Sequence, residues 1–515
     1  MIQSQTQRAG ADRSPRRALF VLLAWGLSAT VPVAFTVAAP ARFAAPGRDR
    51  PNFLFLFADD MTFRALGAAG QTAVKTPNLD RLAQRGTLFT HAFIQGGTSG
   101  AVCVASRAML LTGRYIWATG GRNGDCARDG KTLYPLWGQT LASAGYQTFV
   151  AGKWHNGQAV LDQAFRTRSP VILNGMLEST KPGGPAYHRP APDNLWQPDD
   201  PKWKGHWLEV GGKAVHSSER WADAAIADIE TARKSDRPFF IYIAFNAPHD
   251  PRQAPRAYLD MYPPDSLAVP PNFQPKHPFD LGEFECRDEI LAPYPRTPAI
   301  VRTHLQEYYG IISHLDAQVG RILDALERSG QARNTIVAFA ADNGLAVGQH
   351  GLLGKQCLYE HSIRVPLIVV GPGVPEGRRN DAMVYVPSLF ATTCEMAGIP
   401  APETVQFPSL VPLLTGQTPR LYDDIYAAYV DTQRMVRTER WKLVLTPRAR
   451  MVQLFDIKND PWEQQNLARE SANRALIDDL YGRLKSWMRR VDDRLPVATL
   501  DATIEAFRAN PSPQP

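Results

Sequence analysis

The 515-residue chain predicts an α/β fold, a large, mostly parallel or mixed sheet sandwiched by helices, with a smaller C-terminal α+β subdomain. Three observations predict it. Short runs that are apolar on both faces break at once into polar residues, the pattern of strands covered on both sides. Helical patterns lie between these runs, which favours right-handed parallel crossovers. Beyond Gly398 the pattern changes to successive strands followed by a helix.

Taken in order, Phe53 to Ala58 leads into Asp59-Asp60, and Thr148 to Ala151 leads into Gly152-Lys153-Trp154-His155. Phe239 to Phe245 leads into Asn246-Ala247-Pro248-His249, and Thr335 to Ala341 into Asp342-Asn343-Gly344. Pro366 to Val370 ends in Gly-Pro-Gly. Helical stretches run over Thr76–Gln84, Leu136–Ala144 and Tyr308–Leu326. Open sheets bind ligands beyond their strand C-termini, so four runs delivering Asp, Lys, His and Asn to one edge make a site. The Pro-rich stretches Arg166–Gly212 and Pro251–Pro298 read as long loops. Arg434–Leu445 reads as a strand, Val452–Ile457 as another, and Asn473–Met488 as a helix. The residues after Asp492 read as a surface extension. The expected boundaries are 1–45 for a targeting segment, 50–398 for the catalytic domain, 399–492 for the subdomain and 493–515 for the tail.

A length of 515 exceeds one ordinary core, and 44% apolar residues exclude a disordered chain. Five arginines against Asp12 within residues 1–45 account for four of the seven net positive charges. The remainder shows no compact Lys/Arg stripe interleaved with aromatics, which argues against a nucleic-acid partner. Residues Ala18 to Ala41 are uncharged and offer Ala39 and Ala41 as a cleavage site. They read as an export signal, with Arg16-Arg17 suggesting the twin-arginine type and an uncleaved anchor as the alternative. A periplasmic or secreted protein is expected, with no membrane span after this segment. Five cysteines (103, 126, 286, 357 and 394) leave one odd in an exported protein.

Asp59, Asp60, Asp342 and Asn343 offer a hard, all-oxygen donor set that suits calcium or magnesium and disfavours zinc. Each acidic pair alone would be a cap or turn; two pairs after two buried strands point to a metal. Cys103 opens an amphipathic segment, with Arg107 four residues on, at a position where unpaired helical N–H groups favour negative charge.

The run Cys103-Val104-Ala105-Ser106-Arg107, followed by Leu111-Thr112-Gly113-Arg114, resembles the signature of the type I sulfatases. In that family the cysteine is oxidised to a formylglycine aldehyde by a dedicated maturation system. Ala105 stands where proline is commonest. Gln453-Leu454-Phe455-Asp456-Ile457-Lys458-Asn459-Asp460-Pro461 through Asn466-Leu467-Ala468 resembles the family's C-terminal subdomain. The resemblance spans roughly residues 50–490 and implies an alkaline-phosphatase-like sheet and hydrolysis of a sulfate monoester. It also implies that Asp59, Asp60, Asp342, Asn343 and the formylglycine from Cys103 hold one cation, usually calcium. Arg107 would orient the formylglycine, and Lys153 would contact it and the sulfate. His155 would be the base that expels sulfate, and His249 would face the leaving oxygen. Lys355 would share that protonation or neutralise the sulfate.

A sulfated glycan is the expected substrate, with small sulfate esters open. The rival readings are a phosphate or phosphonate ester hydrolase of the same superfamily and a calcium-dependent glycan-binding protein with unmodified Cys103. With Cys103 oxidised, four cysteines remain, enough for two bridges or for free thiols. His350 and His361 flank Lys355, and His361 reads as structural. Trp196, Trp203 and Trp207 beside Lys202 and Lys204 read as a self-packed loop rather than a sugar-binding wall. Ser388 stands where the family commonly has aspartate and is expected to cap the following helix.

Overall fold

Strand β1 (Asn52–Ala58) is buried at every residue, so both of its faces must be covered. The computed structural model describes residues 50–510 apart from 71–72, 121–125, 174–183, 185, 191–195 and 283. The expected targeting segment lies outside the described residues. Among those residues no helix is long and apolar enough to cross a membrane.

The strands of the larger sheet, in chain order, are β1, β2 (Gly86–Phe93), β3 (Gln147–Lys153), β4 (Thr167–Ile172), β5 (Phe239–Ala244), β6 (Thr335–Ala341), β7 (Arg364–Val365), β8 (Leu367–Val370) and β9 (Arg378–Tyr385). They lie in the order β7-β2-β8-β6-β1-β5-β3-β4, with β9 pairing β2. The central strands β6, β1, β5, β3 and β4 are parallel, and β8 and β7 run antiparallel to their neighbours. Trp137 of helix α3 packs among Phe55, Phe240 and Tyr242 of the sheet and Phe390 of α6. With α2 (Val102–Thr112), α3 (Trp137–Ser143) and α6 (Ser388–Met396) cover that face. Helices α1 (Pro77–Gln84), α4 (Ser217–Ala232) and α5 (Pro298–Arg328) pack on one another over the other.

A second sheet is formed by β10 (Asp424–Tyr429), β11 (Gln433–Thr438), β12 (Trp441–Thr446) and β13 (Met451–Asp456) in an antiparallel meander. Its edge takes up the short strand Gly96–Gly97, which leads into α2. Helix α7 (Arg474–Arg490) packs against this sheet.

Four expectations are corrected. Arg434–Leu445 is two strands, because Glu439 and Arg440 turn and the Trp441 amide donates to the Thr438 hydroxyl at 2.9 Å. The stretch read as loop 166–212 contains β4, which extends the sheet, and the first strand of a hairpin, Trp207–Val210, which pairs with Lys213–His216 just beyond it. The hairpin's two-residue turn, Gly211-Gly212, has φ of 58° and 76°, a left-handed pair that glycine adopts freely. The tail is not a bare extension. Residues 497–509 form helix α8 (Val497–Ala509), which buries Leu500, Thr503, Ile504 and Phe507 at helical spacing. Ser388 does not cap α6: it is the helix's first residue, behind Pro387, and its buried hydroxyl has no hydrogen-bond partner among the described residues.

The two sheets are locked by buried charge. Glu360, beside β7, pairs with Arg437 of β11 and Lys442 of β12, and Lys442 also reaches Glu463. Burial alone would raise the Glu360 carboxyl, but Arg437 and Lys442 outweigh it and hold it well below the ordinary 4.5. A depressed carboxylate stabilises fully above its unfolded value, and that stability is lost as pH falls below it. Glu360→Gln therefore costs about 3 kcal/mol at neutral pH in urea unfolding, by leaving the buried Arg437 guanidinium without its carboxylate. As pH falls below about 5 the wild type should lose stability more steeply than the variant. Parallel losses in the two proteins would contradict this pairing.

Candidate active site

The ends of four parallel strands and the start of one helix meet at a single point. Ala58 and Ala341 lie opposite each other in the β1–β6 register, which sets Asp59-Asp60 beside Asp342-Asn343. Strand β3 ends at Lys153, with His155 two residues on, and the loop after β5 brings in His249. Cys103 sits in the first turn of α2, and Arg107 follows one turn later. Gly152 makes the approach of β3 fit: its φ is 98°, and a Cβ there would lie 1.8 Å from the Ala244 carbonyl oxygen.

Arg107 is the hub. Its Nε donates to Asp342 Oδ2 at 2.9 Å, its Nη2 to Asp59 Oδ2 at 3.0 Å and its Nη1 to the Lys153 carbonyl at 2.9 Å. Lys153 Nζ pairs with the same Asp59 oxygen and lies 3.8 Å from Cys103 Sγ. His155 Nδ1 is 3.2 Å from that sulfur. Lys355 Nζ pairs with Asp60 Oδ1 at 2.5 Å, and Asn343 Nδ2 donates to the same oxygen at 2.6 Å. His249 Nδ1 donates to the Asp250 carbonyl at 2.6 Å, so Nε2 turns inward, 3.8 Å from Asp60 Oδ2. All the residues expected at the site are thus brought together.

Two of them hold strained backbone. Asp60 and His155 have φ of 69° and 72°, left-handed values that few non-glycine residues adopt. Tyr308 of α5 pins the first by donating to the Asp60 carbonyl at 2.7 Å and accepting the Thr62 amide at 3.1 Å. Sequence reasoning missed Tyr308, because its position on the helix's buried face reads as ordinary core.

Three buried oxygens are left over. Asp59 Oδ1, Asp60 Oδ2 and Asn343 Oδ1 have no hydrogen-bond partner among the described residues. Such orphans are costly unless a ligand takes them up. Donor atoms of Asp59, Cys103 and Asp342 lie within 4.8 Å of one another, as do those of Asp59, Asp60 and His249. The residues fit a divalent cation of oxygen preference.

Electrostatics agree. Burial would raise Asp59, but Lys153, Arg107 and Lys355 hold it far below the ordinary range. Asp60 is pushed up to about 8 by burial, against Lys355 and with help from Asp59 and Asp342. Burial raises the Cys103 thiol despite Lys153 and Lys355. It depresses His155 to about 2, reinforced by Lys153 and Arg107. His249 is lowered in the same way by burial, Lys153 and Lys355. Both imidazoles are therefore neutral. Lys355 is kept charged by Asp60, which overcomes its burial. A buried protonated thiol is a poor nucleophile, which makes unmodified Cys103 ill suited to attack.

The remaining expectations fall outside this cluster. His350 stacks on Tyr359 with centroids 4.0 Å apart, and His361 Nε2 lies 3.2 Å from Cys357 Sγ, so both are packing residues. Cys103, Cys357 and Cys394 are free thiols. Trp196 stacks on Trp203 at 6.0 Å, while Lys202 lies over Trp203 and pairs with Asp200. That loop packs on itself.

The sulfatase family profile matches residues 51–399, and a profile for the C-terminal part of N-sulphoglucosamine sulphohydrolase matches residues 348–490. The ulvan-active sulfatase of Formosa agariphila is 27% identical over 461 residues, covering 86% of this chain and 82% of that protein. A protein solved with its substrate D-glucosamine-2-N,6-O-disulfate aligns with a TM-score of 0.68 at 21% identity, over 86% of this chain and 99% of that one. The phosphonate monoester hydrolase of Agrobacterium radiobacter aligns with a TM-score of 0.66 at 22% identity, over 86% of this chain and 96% of that one. The fold is therefore alkaline-phosphatase-like, and with the family profile spanning most of the central sheet the chain belongs to the sulfatases, hydrolases of sulfuric esters.

Proposed function

We propose that this chain is an exported, formylglycine-dependent sulfatase that removes sulfate from a sulfated glycan. The carrying observation is the meeting of Cys103, at a helix N-terminus, with two acidic pairs that leave three buried oxygens unpartnered. The ulvan-active relative and the neighbour solved with a disulfated glucosamine support the substrate class.

Asp59, Asp60, Asp342, Asn343 and residue 103 would hold one calcium or magnesium ion. When bound, such an ion neutralises ester oxygens and acidifies a hydroxyl group. Residue 103, oxidised to formylglycine by a maturation system and hydrated, supplies two hydroxyls where serine has one. One would attack sulfur as the S–O bond to the alcohol breaks; loss of a proton from the other would break the C–O bond to sulfate and restore the aldehyde. Arg107, clamped by Asp59 and Asp342, fixes the floor of the site. Lys153 and Lys355 offset the negative charge that grows on the sulfuryl oxygens. His155, neutral and beside residue 103, is placed to take the proton that releases sulfate. His249 Nε2 and the Lys355 ammonium face the side where the alcohol leaves. Water and a sulfate monoester yield the alcohol and inorganic sulfate.

Released sulfate, assayed across sulfated glycans and aryl sulfates, should exceed release of phosphate or phosphonate from matched esters; the reverse preference would refute the sulfate reading. In protein from its native host the peptide holding residue 103 should be lighter, with one sulfur and two hydrogens exchanged for an oxygen. Cys103→Ser should lower kcat by about a hundredfold or more; an unshifted peptide with full glycan binding would favour a binding protein. Chelation should lower the melting temperature, and calcium at a hundredfold excess over its Kd should restore about 2.7 kcal/mol. Asp60→Asn should abolish that recovery, and a calcium-insensitive melt would count against the ion.

A further inference from the structure

We propose that Arg287-Asp288-Glu289 is a positioning element that holds Lys355, whose ammonium gives its proton to the leaving oxygen, in register with His249. The inference rests on the roles given to those two residues above. These three residues come from the long loop between β5 and α5, and none is in the cluster of strand ends.

Each residue grips a different part of the site. Arg287 pairs with the carboxylate of Asp250, the residue after His249, and its Nη2 lies 3.4 Å from His249 Nε2. Arg287 also pairs with its neighbour Asp288. Asp288 Oδ2 accepts from Gln356 Nε2 at 2.8 Å, and Gln356 Oε1 in turn accepts the Lys355 amide at 2.9 Å. Glu289 works on the other side of Lys355. Its Oε1 accepts the Leu353 amide at 3.1 Å and the Gly354 amide at 2.7 Å. The residues on both sides of Lys355 are thus tied to adjacent carboxylates, and one of these carboxylates is tied through Arg287 to His249.

The element is itself anchored. Arg296 pairs with Glu289 Oε2 at 2.6 Å and donates to the Glu289 carbonyl at 2.7 Å, while Tyr294 donates to the same carboxylate at 3.1 Å. Leu291 and Leu353 share a small apolar cluster beneath the loop with Tyr187 and Trp196. Asp288 and Glu289 are 1% and 4% exposed, so substrate does not compete for them. Buried charge-assisted contacts of this kind favour one arrangement of the residues that make them. Gly354 leaves no slack, since a Cβ there would meet Asp288 Cβ at 2.8 Å and Glu289 Oε1 at 3.0 Å.

The test uses the full-length enzyme, purified with residue 103 modified, and a series of aryl sulfates of graded phenol acidity ending in an alkyl sulfate. Esters with acidic leaving groups need little protonation, whereas the alkyl ester depends on it. Asp288→Asn and Glu289→Gln should lower kcat by about tenfold or more on the poorest leaving group and less than about threefold on the best. KM should stay within about twofold, because Lys153 and residue 103, which meet the sulfate, are untouched. Gly354→Ala, which presses on the same contacts from the opposite side, should show the same slope. A merely structural role would lower kcat equally across the series, since a reduced folded fraction does not sense the leaving group. An equal loss, or none, overturns the inference. Wild-type turnover of no sulfate ester overturns the reading of the site, and this inference with it.

Discussion

Charge balance in a dry pocket is the constraint on which the rest of the molecule depends. Fully ionised, as a bound cation would hold them, Asp59, Asp60 and Asp342 bring three negative charges to the strand ends, and Arg107, Lys153 and Lys355 bring three positive ones. The protein groups alone therefore make a neutral site, and a sulfate ester enters it as an anion. A divalent ion on the oxygens that no described side chain satisfies would supply the extra positive charge. Buried ion pairs of this kind contribute little to net stability, because desolvation offsets most of their attraction. Their value lies in pre-organisation.

That constraint explains the surrounding architecture. Carboxylates can be held this close only on rigid supports, and parallel strands with both faces covered are such supports. The β1–β6 register aligns one acidic pair with the other. Tyr308 reaches across from the longest helix to hold Asp60 in its left-handed conformation. The second sheet adds its own lock through Glu360, close in sequence to Lys355, so the C-terminal residues help to fix the loop that carries Lys355.

The parts legible in the sequence share one property: their signal is local. Strands β1, β3, β5 and β6 announce themselves as apolar runs, and each is followed by its polar residue. Strand β2 mixes threonine and histidine with apolar residues, and β9 begins Arg-Arg-Asn-Asp, so neither has a buried-strand pattern. Helix α8 was readable from the spacing of Leu500, Ile504 and Phe507 but was masked by its position after a polar stretch. The Gly211-Gly212 turn carried a hairpin signal inside a stretch otherwise typical of loops. Arg287, Asp288 and Glu289 had none, because their partners lie in other loops and loop conformation is not written in periodicity.

The central claim is that Asp59, Asp60, Asp342, Asn343 and residue 103 close around one ion at the sheet edge. Anomalous diffraction from crystals grown with calcium tests it most directly. The account requires a single peak bonded to oxygens of all five side chains, with His155 and His249 outside the coordination sphere. A peak coordinated by either histidine, two separate peaks, or none within that group of side chains would contradict it.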